Sequence, residues 1–307
     1  MSDDAPASPS GRTSRRGCAH WSARSGIGGE SPEPEIDVLI PTAGRCGELA
    51  VTLAGLAAQD DPPFRVIVSD QAEGIPAFEE PAVAAMIRVL RAQGRIVETR
   101  THLPRRGMAE HRHSLLDLSR ARSVLFLDDD VWLEPGALPR LHRALGRLNC
   151  GFVGFAVQGL SFLNDERPHE TSGFEAWDGG EVRPERVRPG TRAFERWPLH
   201  NAANLAHLAA GLGLDDDDSL AYRVAWIGGC VLFDRRELVA AGGFDFWPDL
   251  PASHAGEDRA AQWRVMERKG GAGILPSGAV HLESPTTITD RRVEASERVF
   301  SRRDARR

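Results

Sequence analysis

From Glu35 to Asp130 the chain alternates short apolar runs with amphipathic stretches, and this rhythm limits the fold more than any other feature. Ile36-Asp37-Val38-Leu39-Ile40-Pro41 reads as a strand stopped by proline, and Glu48 to Gln59 follows with apolar residues at helical spacing. Phe64 to Asp70 reads as a second strand, Ala82 to Gln93 as a helix, Arg95 to Thr99 as a strand and Gly107 to Ser119 as another helix. The next strand, Val124-Leu125-Phe126-Leu127, runs straight into Asp128, Asp129 and Asp130. A β-α-β-α order predicts an α/β fold with a mostly parallel central sheet flanked by helices. In open sheets of this type ligands sit at the carboxyl ends of the strands, so Thr42, Asp70 and the three aspartates are expected on one rim.

Three adjacent carboxylates at the end of a buried strand repel one another unless a counter-charge is supplied, and a hard divalent cation is the usual supply. An acidic turn exposed to solvent is the plain alternative for a triplet in isolation. No Gly-x-Gly-x-x-Gly follows the first strand and no Gly-x-x-x-x-Gly-Lys-Ser/Thr occurs, which argues against a dinucleotide or P-loop site. A diphosphate-bearing ligand held through a divalent ion needs no phosphate-cradling loop.

The 307 residues, 41% of them hydrophobic, suffice for one or two domains with a large core. A net charge of −6 supplies no overall basic field to recruit nucleic acid. Cys18, Cys46, Cys150 and Cys230 lack metal or redox spacing, which points to reduced thiols and a cytoplasmic protein. The longest weakly polar stretch, Gly151 to Leu163, is too short for a membrane span. Residues 1–34 are rich in Ser, Pro, Gly and Arg and read as a disordered tail; residues 296–307 read as a basic C-terminal tail. Arg15, Arg16 and the arginines between Arg302 and Arg307 leave peripheral contact with anionic lipid open.

Taken together, Leu39-Ile40-Pro41-Thr42, Phe64 to Asp70, Arg112, and Phe126-Leu127-Asp128-Asp129-Asp130 with Glu134-Pro135-Gly136-Ala137-Leu138 resemble the nucleotide half of family 2 glycosyltransferases of the GT-A fold. Gly228 to Arg236, then Gly242-Gly243-Phe244-Asp245, then Gly256-Glu257-Asp258 with Arg264 are similar to the acceptor half of that family. The resemblance covers residues 35–290 in order, and implies one domain over 35–295 with a nucleotide-sugar half at 35–150 and an acceptor half at 151–295.

The resemblance implies a metal-dependent, inverting, hexosyltransferase-like enzyme that moves a sugar from a nucleoside diphosphate sugar to the hydroxyl of an unidentified acceptor. It implies donor contacts from Thr42, Asp70, Arg112, Asp128 and Asp129, with Asp70 accepting from the nucleobase and Arg112 near the base or diphosphate. Asp130, last of the Asp-x-Asp, would ligate Mn or Mg, and His281 in Ala279-Val280-His281-Leu282 would be a further ligand favouring Mn. Asp258 would take the proton of the acceptor hydroxyl, while Glu257 and Trp247 would lie on the acceptor side, with His254 a further candidate there. Read without the resemblance, Glu257 and Asp258 are acids in the first turn of a helix from Arg259 to Lys269, where they complement its dipole.

The segment from Ser161 to Ala225 is the least patterned. Trp177 and Trp197 there either line the acceptor cleft or pack a loop-rich insertion, and Asp215 to Asp218 read as a solvated loop because no apolar strand feeds them. The family's usual continuation after the second strand is replaced by Asp70-Gln71-Ala72, and its Ala-Arg-Asn-x-Gly pattern by His111-Arg112-His113-Ser114, changes that bear on donor selectivity. Two other functions share much of this pattern: a nucleotidyltransferase, for which Thr42-Ala43-Gly44-Arg45 is a thin loop motif, and a nucleotide- or sugar-binding homologue without turnover.

Overall fold

Seven elements build the N-terminal half in the expected order: β1 (Ile36–Thr42), α1 (Cys46–Ala57), β2 (Phe64–Asp70), α2 (Pro81–Ala92), β3 (Ile96–Thr101), α3 (Met108–Leu118) and β4 (Ser123–Leu127). They come from a computed structural model that describes residues 33–304 apart from 160, 162–163, 202–203, 216–217 and 289. The expected tail at 1–34 therefore lies outside the described residues except for its last two, as do Asp216, Asp217 and the last three arginine-rich positions.

The alternation within each strand assigns its side chains to opposite faces of the sheet. Val38, Ile40, Val66, Val68, Leu125 and Leu127 meet the apolar faces of α1 and α2 through Leu49, Leu53, Leu56, Val83, Ile87 and Leu90. Leu39, Ile67, Val124 and Phe126 point the other way, into a second core with Leu115 and Leu116 of α3. Covered on both faces, β1, β2 and β4 read as nearly unbroken apolar runs. Pro41 does not end β1: its pairing with β4 stops at Leu39, while pairing with β2 continues to Thr42 opposite Asp70.

The remaining elements are β5 (Val131–Leu133), α4 (Ala137–Leu148), β6 (Phe152–Gly154), β7 (Gln158–Gly159), α5 (Pro168–Thr171), α6 (Asn204–Gly211), β8 (Leu220–Tyr222), β9 (Cys230–Asp234), α7 (Arg235–Ala240), α8 (Glu257–Lys269), β10 (Gly271–Leu275), β11 (Ala279–His281) and α9 (Ala295–Asp304). The main sheet has the order β3-β2-β1-β4-β9-β6-β10-β8, and a small second sheet the order β5-β11-β7. β9 runs antiparallel between β4 and β6, which stitches the two halves into one sheet. α9 occupies the stretch read as a basic tail, and buries Val299 and Phe300 in the same core as Trp263 of α8. The basic residues visible in sequence there share a helix with apolar ones at a spacing that packs.

Asp37 is buried near the start of β1, at the end of the sheet opposite Thr42. Arg65 donates to it from Nε at 2.8 Å and Nη2 at 2.9 Å, and the backbone N–H groups of Arg120 and Ala121 complete its shell. Removing one partner of such a pair leaves a desolvated charge, typically at a cost of about 3–5 kcal/mol. Asp37→Ala is expected to lower unfolding free energy by about that amount; a urea midpoint within error of wild type would refute it.

Candidate functional site

β1, β2 and β4 end on one rim, and the turn between β4 and β5 carries the three aspartates. Each aspartate faces a different partner. The Asp128 N–H donates to the Gly229 carbonyl at 2.9 Å, tying the turn to the start of β9, and its Oδ1 accepts from Arg112 Nη2 at 2.8 Å. Gly229 has φ of +75°, and an added Cβ would lie 3.2 Å from both Val131 and Val157, so conformation and space both favour glycine beside Asp128. Asp129 is buried: it accepts from Thr42 Oγ1 at 2.6 Å and Arg45 Nη1 at 2.9 Å, and its carbonyl accepts from Thr52 of α1. Burial pushes the Asp129 carboxyl up to about 7, against the pull of Thr42 and Arg45.

Asp130 accepts from Arg45 Nη2 at 2.6 Å, and His281 Nε2 stands 3.3 Å from the same oxygen. β11 brings His281 there by pairing it opposite Val131 of β5, and Leu282 N–H donates to the Asp130 carbonyl. Burial opposes ionisation of Asp130, yet His281 and Arg45 together hold its carboxyl below the usual range. Asp130 in turn raises the His281 ring above its ordinary value. His281 Nδ1 accepts the Glu283 N–H at 2.9 Å, so the neutral ring carries its proton on Nε2, toward Asp130.

Arg112 of α3 links the end of β4 to the start of α8. Its Nε donates to Glu257 Oε1 at 3.1 Å while Nη2 holds Asp128, and the guanidinium lies 5.5 Å from the centre of the Phe126 ring. These carboxylates hold Arg112 firmly protonated despite burial. Burial, then the neighbouring Asp258, pushes Glu257 up. Asp258, next on the first turn of α8, lines a small cavity with Arg112, Phe126, Gly229 and Gln262. Residues from the third, fourth, ninth and eighth elements of their kinds, far apart in sequence, thus share one wall.

Several residues expected at the ligand have other partners. Asp70 is fully buried: Oδ1 accepts from Gly44 and Ala72 N–H and Oδ2 from Ala77 N–H, so its carboxylate orders the loops after β1 and β2. Thr42 braces Asp129. Glu257 is buried against Arg112. Trp247 is half-buried and packs on the core around Phe244 and Phe246. His254 is buried, with Nε2 accepting the Ala109 N–H at 3.1 Å and Nδ1 at 2.7 Å from the Pro251 carbonyl, and so latches the segment before α8 to the first turn of α3. Trp177 is core, under Arg223, whereas Trp197 is 49% exposed.

Three features escaped the sequence reading. Arg45 binds two of the aspartates; its signal was being the one cation in the loop after β1. Gln262, one helical turn beyond Asp258, brackets Ile227 with its amide through N–H at 2.8 Å and carbonyl at 2.7 Å. His200 packs against Trp226 with ring centres 4.7 Å apart, lies next to Gly228 and feels the charge of Asp258, which brings the middle segment close to the start of α8.

A strand-end rim bearing an aspartate triplet, in a mostly parallel sheet extended by an antiparallel strand, defines the GT-A class of nucleotide-sugar folds. The family model for glycosyl transferase family 2 matches residues 37–206, and the chain belongs to that family. Among solved structures it is similar to S. aureus TarS 1-349, at 14% identity and a TM-score of 0.50, covering 81% of this chain and 60% of that one. It is also similar to TarS 1-349 in complex with UDP-GlcNAc, at 12% identity and a TM-score of 0.52, with coverage of 83% and 60%. The mannosyltransferase PcManGT from Pyrobaculum calidifontis, in complex with GDP-Man and Mn2+, aligns at 17% identity over 83% of this chain and 58% of that one, with a TM-score of 0.48. The chain thus spans about 60% of the length of the TarS 1-349 structures. No curated protein matches it.

His111, next to Arg112, carries the clearest pH signature. Its Nε2 lies 2.8 Å from Ser69 Oγ, its ring stacks on His102 at 5.3 Å, and burial pushes it down to about 3. The folded protein keeps this ring neutral while the unfolded chain protonates it below about 6.5, so stability falls as pH drops from about 6.5 toward 3. Between pH 7.5 and 5 this group should account for about 2 kcal/mol of lost stability. Denaturant midpoints at both pH values should show that loss in wild type and its absence in His111→Gln; equal slopes would exclude His111 as the source.

Proposed function

We propose that the chain is an inverting glycosyltransferase that moves a sugar from a nucleoside diphosphate sugar to an acceptor hydroxyl, with Asp258 as the base. The observation that carries this reading is the shared wall of Asp258 and Arg112, with Arg112 bonded to Asp128 of the triplet. A base belongs opposite the leaving group, and Asp258 reaches the rim from α8 while the aspartates reach it from β4. Asp258 accepts the acceptor hydroxyl proton as that oxygen bonds the anomeric carbon. The bond from the anomeric carbon to the diphosphate oxygen breaks, and its electron pair leaves with the nucleotide.

Arg112 keeps a permanent positive charge beside the rim and fixes Asp128 and Glu257 in place. Asp129, through Thr42 and Arg45, sets the shape of the turn. Asp70 shapes the nucleotide side through the loops it ties together. The half-exposed ladder of Trp197, His200 and Trp226 offers aromatic surface on the acceptor side, near Asp258.

A divalent ion suits this donor set in kind. Asp130 offers a carboxylate, and His281 would add Nε2 only after its Nδ1 gives up the Glu283 N–H and takes the ring proton; Mg or Mn commonly completes its shell with substrate phosphates and water. Among the described residues no three His, Cys, Asp or Glu side chains form a ready cage. Bound there, the ion would supply Lewis acidity toward the departing diphosphate.

Cys46, Cys150 and Cys230 are free thiols, which supports a reducing, cytoplasmic setting. Among the described residues no helix is long and apolar enough to cross a membrane.

Asp258→Asn should lose transfer and donor hydrolysis by about a hundredfold or more while nucleotide affinity stays within about twofold. Calorimetry with UDP and GDP and a nucleotide-release assay with their sugars measure both. Preserved turnover would remove Asp258 as the base, and no binding to any nucleotide would overturn the transferase reading.

A further inference from the structure

We infer that Arg45 is a built-in counter-cation of the aspartate turn, which a divalent ion must displace from Asp130, and which then serves as a ligand of the donor diphosphate. This rests on the transferase reading for the identity of the diphosphate, but not for the competition with metal.

The geometry carries the first half. One guanidinium bridges two carboxylates, with Nη1 on Asp129 at 2.9 Å and Nη2 on Asp130 at 2.6 Å. Both aspartates are largely buried, while the Arg45 side chain retains 17% exposure, so the cation closes the turn on its solvent side. The Asp130 oxygen bonded to Arg45 is also the one 3.3 Å from His281. His281 faces it with a hydrogen, because Nδ1 is occupied by the Glu283 N–H. That oxygen already faces two donors, Arg45 and the His281 N–H, so a metal ion entering there competes with the guanidinium for a lone pair and meets its charge nearby. In this arrangement the turn has a cation already.

Chemistry carries the second half. Once freed, Arg45 keeps its charge and a planar fork of donors that matches phosphate bidentately. It is anchored at the first residue before α1, and Gly44 beside it is tied to Asp70 by its N–H, so the swing is confined to the side chain and to the rim. Its fallback partner Glu48 lies on the same helix, 4.0 Å away. Incoming donor and metal therefore exchange partners with the resting ion pairs: metal for Arg45 on Asp130, diphosphate for aspartate on Arg45. Asp129 retains Thr42 throughout.

The test is calorimetry on the full chain with MnCl2 alone, and with UDP in saturating MnCl2, for wild type, Arg45→Gln and Arg45→Lys. Thermal melts and circular dichroism establish that each variant is folded. Arg45→Gln should bind Mn2+ about tenfold tighter than wild type, and UDP about tenfold weaker. Arg45→Lys keeps the charge without the fork and should resemble wild type toward Mn2+ while losing UDP affinity. Equal Mn2+ affinity in wild type and Arg45→Gln, or no Mn2+ binding to either, overturns the competition. Tighter Mn2+ binding with unchanged UDP affinity overturns the transfer to diphosphate. If no protein binds UDP or GDP the transferase reading fails, and the Mn2+ comparison still decides whether Arg45 competes for the site. A variant that fails to fold is replaced by Arg45→Met, which removes the cation and keeps the apolar stem, and should also tighten Mn2+; unchanged affinity there counts against the competition.

Discussion

Negative charge at the end of a buried strand has to be balanced, and the rest of the site is arranged around that requirement. β4 is buried throughout and delivers three carboxylates in succession. Solvent screens Asp129 and Asp130 poorly and Asp128 only in part, and two arginines supply the balance: Arg45 from the loop after β1, and Arg112 from α3. Each choice propagates. Arg45 brings the first turn of α1 to the rim, where Thr52 binds the Asp129 carbonyl. Arg112, once buried, needs more than one anion, and Glu257 meets that need from the start of α8. The position of Asp258 thus follows from electrostatic compensation one residue away.

The N-terminal half was legible in sequence because its signals are local. A strand buried on both faces reads as an apolar run, a helix over a sheet shows its 3.6-residue stripe, and β2 matches its expected bounds from Phe64 to Asp70. Boundaries moved by a residue or two where caps rather than periodicity decide them, as at Cys46 for α1. The location of the aspartates and of Glu257-Asp258 was likewise readable. Their partners were not, because a partner is a long-range fact: Arg45 and Asp130 are 85 positions apart, and Arg112 and Glu257 are 145 apart. Composition cannot tell an aspartate that meets solvent from one such as Asp70, whose oxygens are spent on three backbone N–H groups. His254 illustrates the same limit, since a histidine on a polar loop looks available until the fold buries it under α3.

The segment between β7 and β8 resisted reading for another reason. It holds few runs with a period, and its packing comes from scattered aromatic and arginine contacts such as Arg223 on Trp177 and His200 on Trp226. Such contacts leave no repeating trace in sequence. α9 was missed because arginines conceal the apolar spacing of Val299 and Phe300.

The antiparallel course of β9 has a consequence for how this protein can vary. The parallel strands reach the rim with their carboxyl ends, whereas β9 leaves it with its amino end at Gly229, held to Asp128 by one backbone hydrogen bond. Between β6 and β9 the chain returns to the main sheet at β8, on the far edge beside β10, and gives β7 to the small sheet, so neither strand pairs with β1, β2 or β4, whose ends form the rim. What constrains the excursion is its packing, through Trp177, Val187, Leu199 and Leu205 in the cores, rather than the geometry of the rim; where it does not pack, its length and composition can change without moving Gly229 or the aspartates.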